Sequence, residues 1–341
     1  MGRKGGKAMR FLLSLAVLAA LAWSGYWALA ARGIERGLAG WLDARRAEGW
    51  AADAGRISVT GFPARFDTRL APLDLADPAT GLAWSLPWFG FSAHSHRPQR
   101  VTVRWPETQR IATPTERIEV TAEAMTGALA FRPGLALELV SAQLSIGAFG
   151  LVSDAGWRAS MDGAEIETAA LDERPGAQRL RLSASGMRPP EKLVATLDPA
   201  GLLPPVFQQV AIEAVAVFDA PWDRHAVEDR RPQLRQVEIG RLDAQWGDLA
   251  LQAAGRFDVD AEGQPSGSLT LRATNWREMI ALARGSGRLS APLADRLEEA
   301  LGLLAGLSGR PGMLDVPLRL ALGQVWLGPV PLGPAPNLRL R

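Results

Sequence analysis

The sequence predicts a mainly β protein with a few helices. An N-terminal transmembrane helix is followed by a curved antiparallel β-sheet domain with one or two late helices packed on it. Three observations carry this. Residues 11–31, FLLSLAVLAALAWSGYWALAA, hold no charge. Beyond Trp50, apolar residues recur at every second position. Only two late stretches, around Trp276–Ala283 and Ser290–Leu304, change to helical spacing.

Four segments follow: a cytoplasmic basic segment at 1–10, an anchor at 11–31, a helical stem at 32–50, and a periplasmic β-rich domain at 51–341 with a candidate subdivision near 190–205. About 20 apolar residues at 1.5 Å each cover a ~30 Å hydrocarbon core. Arg3, Lys4, Lys7 and Arg10 precede the run, and such charges stay cytoplasmic. Trp23, Tyr26 and Trp27 gather at its far end, as interfacial aromatics do. This makes the chain a single-pass membrane protein with the residues beyond about 32 outside the cytoplasm. The minor alternative is a cleaved signal peptide, since Ala28-Leu29-Ala30 has the small-x-small pattern. The apolar run is longer than the usual ~7–15-residue signal core. In the stem, Ile34, Leu38, Trp41 and Leu42 fall on one helical face, suited to packing on the folded domain.

Strands follow. Val101, Val103 and Trp105 alternate with Thr102 and Arg104, and Ile118 and Val120 with charged or polar neighbours. Leu135, Leu137 and Leu139 share a parity, as do Leu180 and Leu182, Phe257 and Val259, Leu269 and Leu271, and Val316 to Leu322. One apolar and one wetted face is the mark of an antiparallel sheet. Turn chemistry separates the runs at DPATG, 77–81, and DAEGQPSG, 260–267. The runs are mostly 5–8 residues, short of the ~9–11 that cross a membrane, so an outer-membrane barrel is disfavoured.

Helices are few. Asn275 and Glu278 read as a cap before Trp276, Met279, Ile280 and Ala283. A second helix begins near Ser290, with Pro292 in its first turn. Its stripe is Leu293, Leu297, Ala300, Leu301 and Leu304, and it ends at Gly309. A short turn of helix is expected around Asp198–Phe207. The prolines at 329, 331, 334 and 336 favour an extended or polyproline ending.

Arg56–Leu70, RISVTGFPARFDTRL, changes parity at Gly61-Phe62-Pro63-Ala64. Folded as a hairpin with those four residues as its loop, Val59 faces Phe66, Ile57 faces Thr68 and Ser58 meets Asp67. A bulge in one continuous strand is the alternative.

Chemistry is sparse. With no cysteine, disulfides, thiol nucleophiles and thiolate metal sites are excluded. Beyond residue 10 there are 34 basic and 36 acidic residues, interspersed, so no nucleic-acid surface is expected. His94 and His96 lack a nearby acidic third ligand. Asp223, His225, Glu228 and Asp229 read as a charged surface loop. There is no nucleophile elbow, Walker loop or zincin motif. No catalytic residue, metal site or cofactor is expected. Of the tryptophans, Trp84, Trp88, Trp105, Trp157, Trp222, Trp246, Trp276 and Trp326 suit core filling and capping of a sheet face. Leu82–Phe91 is the densest aromatic stretch. Phe62, Trp84, Trp88, Phe89 and Phe91 are the candidate contact patch for an apolar ligand.

Ile57–Leu70 with Asp77–Pro87, Gly255–Trp276 and Pro317–Pro336, taken with the anchor, resemble an uncharacterised bacterial domain-of-unknown-function family of single-anchor, periplasm-facing proteins. The strand, Gly-rich turn, strand and helix of the second stretch is also similar to units of AsmA-like envelope proteins, which hold lipid in a β-lined groove. With the anchor and the one-sided strands, the resemblance points to a protein held in the bacterial inner membrane through residues 11–31 that binds an apolar or amphipathic envelope component such as lipid; the missing catalytic motifs make it non-catalytic. The alternatives are a scaffold contacting other envelope proteins through sheet edges and, third, a periplasmic hydrolase.

Overall fold

The computed structural model describes residues 5–228, 230–287, 289–307, 312–328 and 330–340. Arg3, Lys4, Asp229, Gly309 and Pro329 lie outside them. Two compact units make up the chain, Met1–Thr115 and Glu116–Arg341. The boundary therefore falls at Thr115/Glu116. The expected subdivision near 190–205 is interior to the second unit, because the strands on either side of it pair with each other.

The first unit opens with α1 (Gly5–Ala47), a single helix that carries the apolar run straight into the stem. It continues with β1 (Ala51–Ala54), β2 (Ile57–Thr60), β3 (Arg65–Leu70), β4 (Leu73–Asp77), β5 (Leu82–Leu86), β6 (Phe89–His94), β7 (Arg97–Arg104) and β8 (Thr108–Ala112). Strands β1-β4-β5-β8 form one sheet and β2-β3-β6-β7 the other. The DPATG turn works as its residues require. Asp77 Oδ1 accepts from Ala79 N at 2.9 Å, and Asp77 O accepts from Gly81 N at 2.8 Å. Both sheets and the stem feed one core of Leu42, Ala52, Leu70, Leu73 and Leu86, with Leu38 and Trp50 packed against it. Trp41, expected on the packed face of the stem, is exposed instead.

The second unit holds β9 (Arg117–Ala122), β10 (Thr126–Phe131), β11 (Leu139–Ile146), β12 (Phe149–Ser153), β13 (Arg158–Met161), β14 (Gly163–Ala170), β15 (Ala177–Met187) and α2 (Glu191–Leu197). It goes on through β16 (Phe207–Phe218), α3 (His225–Glu228), β17 (Leu234–Trp246), β18 (Leu249–Val259), β19 (Pro265–Thr274), α4 (Trp276–Gly285) and α5 (Ala291–Leu307). It ends in β20 (Met313–Ala321), β21 (Gln324–Leu327) and β22 (Val330–Pro334). A short sheet orders β9-β12-β13. A long one runs β10-β11-β14-β15-β16-β17-β18-β19-β20-β21-β22. The paired strands of these sheets run antiparallel, and Asp260 Oδ1 closes the β18–β19 hairpin by accepting from Glu262 N and Gln264 N.

Several sequence expectations need correction. Strands β15 to β19 run 10–13 residues, not 5–8, so strand length does not argue against a barrel. In β17 the period of two is also broken by β-bulges, opposite Glu213/Ala214 of β16 and between Ile239 and Leu242. Leu135 and Leu137 lie in the β10–β11 loop, with Leu135 88% exposed. Leu322 sits at positive φ in the β20–β21 turn and is 92% exposed. The helical turn expected at 198–207 lies earlier, as α2, and Asp198 follows its last residue. The proline-rich ending is a strand, with Trp326 opposite Pro331 and Gln324 opposite Pro334. Prolines are tolerated there because β22 is last in the sheet order and one side needs no donors.

Helices α4 and α5 pack on the sheet as expected. Trp276, Leu297, Leu301, Ala305, Ala273, Leu314 and Val316 form their buried cluster, with Met279, Ile280 and Leu293 against it. Ala300, placed on the buried stripe by spacing, is exposed; Ala294 is buried instead. Asn275 adopts a left-handed conformation and makes no side-chain cap. Its Nδ2 donates to Asp248 O at 2.8 Å, tying the helix start to the β17–β18 turn.

Leu301→Ala should destabilise the second unit by about 2–5 kcal/mol, the range for deleting a buried leucine side chain. Urea unfolding followed by tryptophan fluorescence checks this, and a loss below ~1 kcal/mol would mean the helices are not seated on the sheet. Asp219 offers a pH-dependent test. Burial alone would raise its carboxyl. The Gln233 backbone N–H at 2.7 Å and Arg230 at 3.1 Å outweigh this and hold it below the usual carboxylate range. A lowered folded-state value stabilises above the unfolded value and is lost as pH falls through the folded one. Asp219→Asn should therefore cost about 1–2 kcal/mol at pH 7 and progressively less in acid, measured by urea unfolding at both pH values.

Candidate functional site

The long sheet of the second unit places apolar residues in register from strand to strand. Leu144 of β11 lies opposite Ile166 of β14, which lies opposite Leu182 of β15. The row continues through Ile212 of β16, Leu242 of β17, Ala253 of β18, Leu271 of β19 and Val316 of β20. Neighbouring rows on this face repeat the pattern, with Ala184 opposite Val210 and Val210 opposite Ala244. At the β20 end, Val316 is buried in the cluster under α5. Toward β11 no such cover exists among the described residues. Ile166 is 41% exposed, and Leu144, Leu182, Ile212 and Leu242 are half-buried.

One residue over, the opposite face carries charges in register. Glu167 lies opposite Arg181, Arg181 opposite Glu213, and Glu213 opposite Arg241. Beyond the bulge in β17, Asp243, Gln252, Arg272 and Asp315 form the next row. Arg272 grips Asp315 at 2.6 and 3.0 Å. Burial alone would raise the Asp243 carboxyl; Arg241 and Gln252 outweigh it and hold it below the ordinary range. Opposite charges directly across a ladder favour the register, and like charges would oppose it.

The five aromatic residues of the expected patch separate. Trp84, Phe89 and Phe91 pack on the core of the first unit. Trp84 Nε1 donates to Gln109 Oε1 at 3.0 Å, and Phe89 meets Trp105 edge-on. Trp88 is half-buried under the Arg69 guanidinium, 4.7 Å from its ring centroid. Phe62 alone is well exposed, at 55%.

Phe62 belongs to a contact between α1 and the hairpin β2–β3. The hairpin register is shifted by two from the expected one: Ile57 pairs with Leu70, Val59 with Thr68 and Thr60 with Asp67. A shift of two keeps every side chain on its face, which is why the parity argument survives. The loop is longer than four residues and projects toward α1. The Phe62–Pro63 peptide is cis. Gly61, at φ +97°, turns the chain where a Cβ would stand 2.8 Å from Asp67 Oδ2 and 3.0 Å from Arg65 O. Three aromatic donors of α1 then reach loop carbonyls. Trp23 Nε1 donates to Pro63 O at 3.0 Å, Tyr26 OH to Ser95 O at 2.9 Å and Trp27 Nε1 to Arg65 O at 2.8 Å. Trp27 stacks on Phe66 and meets Phe62 edge-on, with centroids 5.7 and 5.5 Å apart. Positions 23, 26 and 27 share a helical face, a signal present in the sequence; their partners are not.

The polar candidates serve local structure. His94 ends β6 and meets His96 ring-to-ring at 5.4 Å. No group of three or more metal-ligating side chains occurs among the described residues. Asp223 Oδ1 accepts from the backbone N–H of His225 at 2.9 Å, at the start of the single turn α3. A cavity of about 190 Å³ near Trp222 is walled by Arg132, whose guanidinium bonds Glu138 and Asp172, both at 3.1 Å.

Helix α1 is long and apolar enough to cross a membrane, and none of its most apolar window is buried. No curated protein and no solved structure matches the chain. A family model described as "Uncharacterized protein conserved in bacteria (DUF2125)" matches residues 27–336. Because that match spans the strands and late helices of both units, the chain belongs to this bacterial family.

Proposed function

We propose that the protein is anchored in the bacterial inner membrane by α1, with its β-rich units on the periplasmic side, and that it binds an apolar or amphipathic envelope component, a lipid, without catalysing a reaction. The supporting observation is the apolar row of the second unit, continuous across strands and covered by helices at one end alone. A contiguous half-exposed apolar face is what acyl chains or another apolar surface would cover. Its side chains are aliphatic and offer no directed polar group, which suits a ligand recognised by area rather than by hydrogen bonds. The basic residues that precede the uncharged run support the orientation, since such charges stay on the cytoplasmic side.

The test is a photoreactive residue placed at Ile166 or Ile212 of the full chain in bacterial cells, with Glu213 on the charged face as control. Lipid adducts at the first two positions and none at Glu213 are expected by mass spectrometry. Protein adducts at Ile166 and Ile212 would favour the scaffolding reading. An absence of adducts at both would mean that the face is closed.

A further inference from the structure

We propose that the β2–β3 hairpin tip, Gly61–Ala64, is itself a membrane-inserted element that dips into the bilayer beside α1, led by Phe62. The inference rests on the reading of α1 as a membrane span and adds a second point of contact to it. The first argument is depth. The uncharged run lies between Arg10 and Arg32. At 1.5 Å per residue, Trp23 stands ~20 Å and Trp27 ~26 Å along the axis from Arg10, against a hydrocarbon core of ~30 Å. Trp23 bonds Pro63 and Trp27 packs on Phe62, so the tip lies level with the last two turns of the span.

The second argument is hydrogen bonding. An irregular loop enters an apolar phase only if its backbone carbonyls are satisfied internally. Here they are. Pro63 O accepts from Trp23 Nε1 at 3.0 Å and from Ser95 Oγ at 2.8 Å. Gly61 O accepts from Ala64 N at 3.2 Å and Arg65 N at 2.9 Å, and Ala64 O from Ser95 N at 2.9 Å. Arg65 O takes Trp27 Nε1. The tip itself carries no charge; Phe62, Pro63 and Ala64 are all exposed. The nearest charges, Arg65 and Asp67, bond each other at 3.1 Å and set the level of the headgroups.

The native chain has no cysteine, so single labelling sites are unambiguous. Full-length Phe62→Cys and Ala64→Cys, each carrying an environment-sensitive fluorophore, would be placed in vesicles of phosphatidylethanolamine and phosphatidylglycerol. Leu15→Cys in the span and Leu322→Cys in an exposed turn serve as references. The expected result is quenching at 62 and 64 by shallow spin-labelled acyl chains and at least a threefold loss of iodide quenching relative to position 322. Iodide quenching at 62 and 64 equal to that at 322, with Leu15 lipid-quenched, would overturn the hairpin proposal alone. Aqueous behaviour at Leu15 as well would overturn the membrane reading together with it.

Discussion

The strict alternation of side chains along an antiparallel strand is the constraint on which the second unit depends. Each strand of the long sheet has an apolar parity and a polar parity, and the register sets like beside like. A slip of one residue would set Ile212 among Glu167, Arg181 and Arg241. The charged row penalises that slip directly, because Arg181 is held between Glu167 and Glu213. These ion pairs are exposed, so each contributes little to stability. They act on specificity of pairing. Apolar burial under α4 and α5 supplies the stability, and it is concentrated at one end. The uncovered part of the face thus keeps its shape without needing a buried core of its own.

In the first unit the corresponding constraint is the aromatic contact with α1. A single-span helix is free to rotate and tilt against a domain joined to it by a turn. Three hydrogen bonds, each worth roughly 0.5–1.5 kcal/mol in water, together with the stacked Trp27–Phe66 pair, fix its rotation. The stem adds Leu38 and Leu42 on the core. Helix α1 is thus packed on its own unit at two places, the stem and the wedge at Gly61–Ala64.

Much of this was legible in the sequence, and what was not has identifiable physical causes. The apolar span, the single long helix, the antiparallel class and the late helices follow from hydropathy and periodicity, which are local. In β17 the bulges opposite Glu213/Ala214 and between Ile239 and Leu242 invert parity, and a period count reads an inversion as an end. Asn275 looked like a cap because its residue type and the spacing to Glu278 fit. Its amide is instead drawn to Asp248 O, a partner 27 residues away. The expected aromatic patch failed as a unit. Trp84, Phe89 and Phe91 do meet, but inside the core of the first unit, whereas Trp88 lies under Arg69 and Phe62 stands exposed on the hairpin tip. The in-register aliphatic row is invisible to any scan along the chain, since its neighbouring members lie between 11 and 45 residues apart and meet only through pairing.

The character of that row bears on the kind of ligand. Leu144, Ile166, Leu182, Ile212 and Leu242 are aliphatic and similar in size, and no aromatic ring or polar group interrupts them. Such a surface discriminates weakly between apolar ligands, because each added methylene contributes about the same ~0.8 kcal/mol wherever it lies. Selectivity would have to come from the ends of the face, where polar groups can orient a headgroup. Loose, length-tolerant contact along a row of strands favours movement of a ligand over tight capture. A catalytic site needs the opposite: a few polar groups held at fixed distances around one reacting atom. In the long sheet Arg181 pairs with Glu167 and Arg272 with Asp315 on the charged face, away from the aliphatic row.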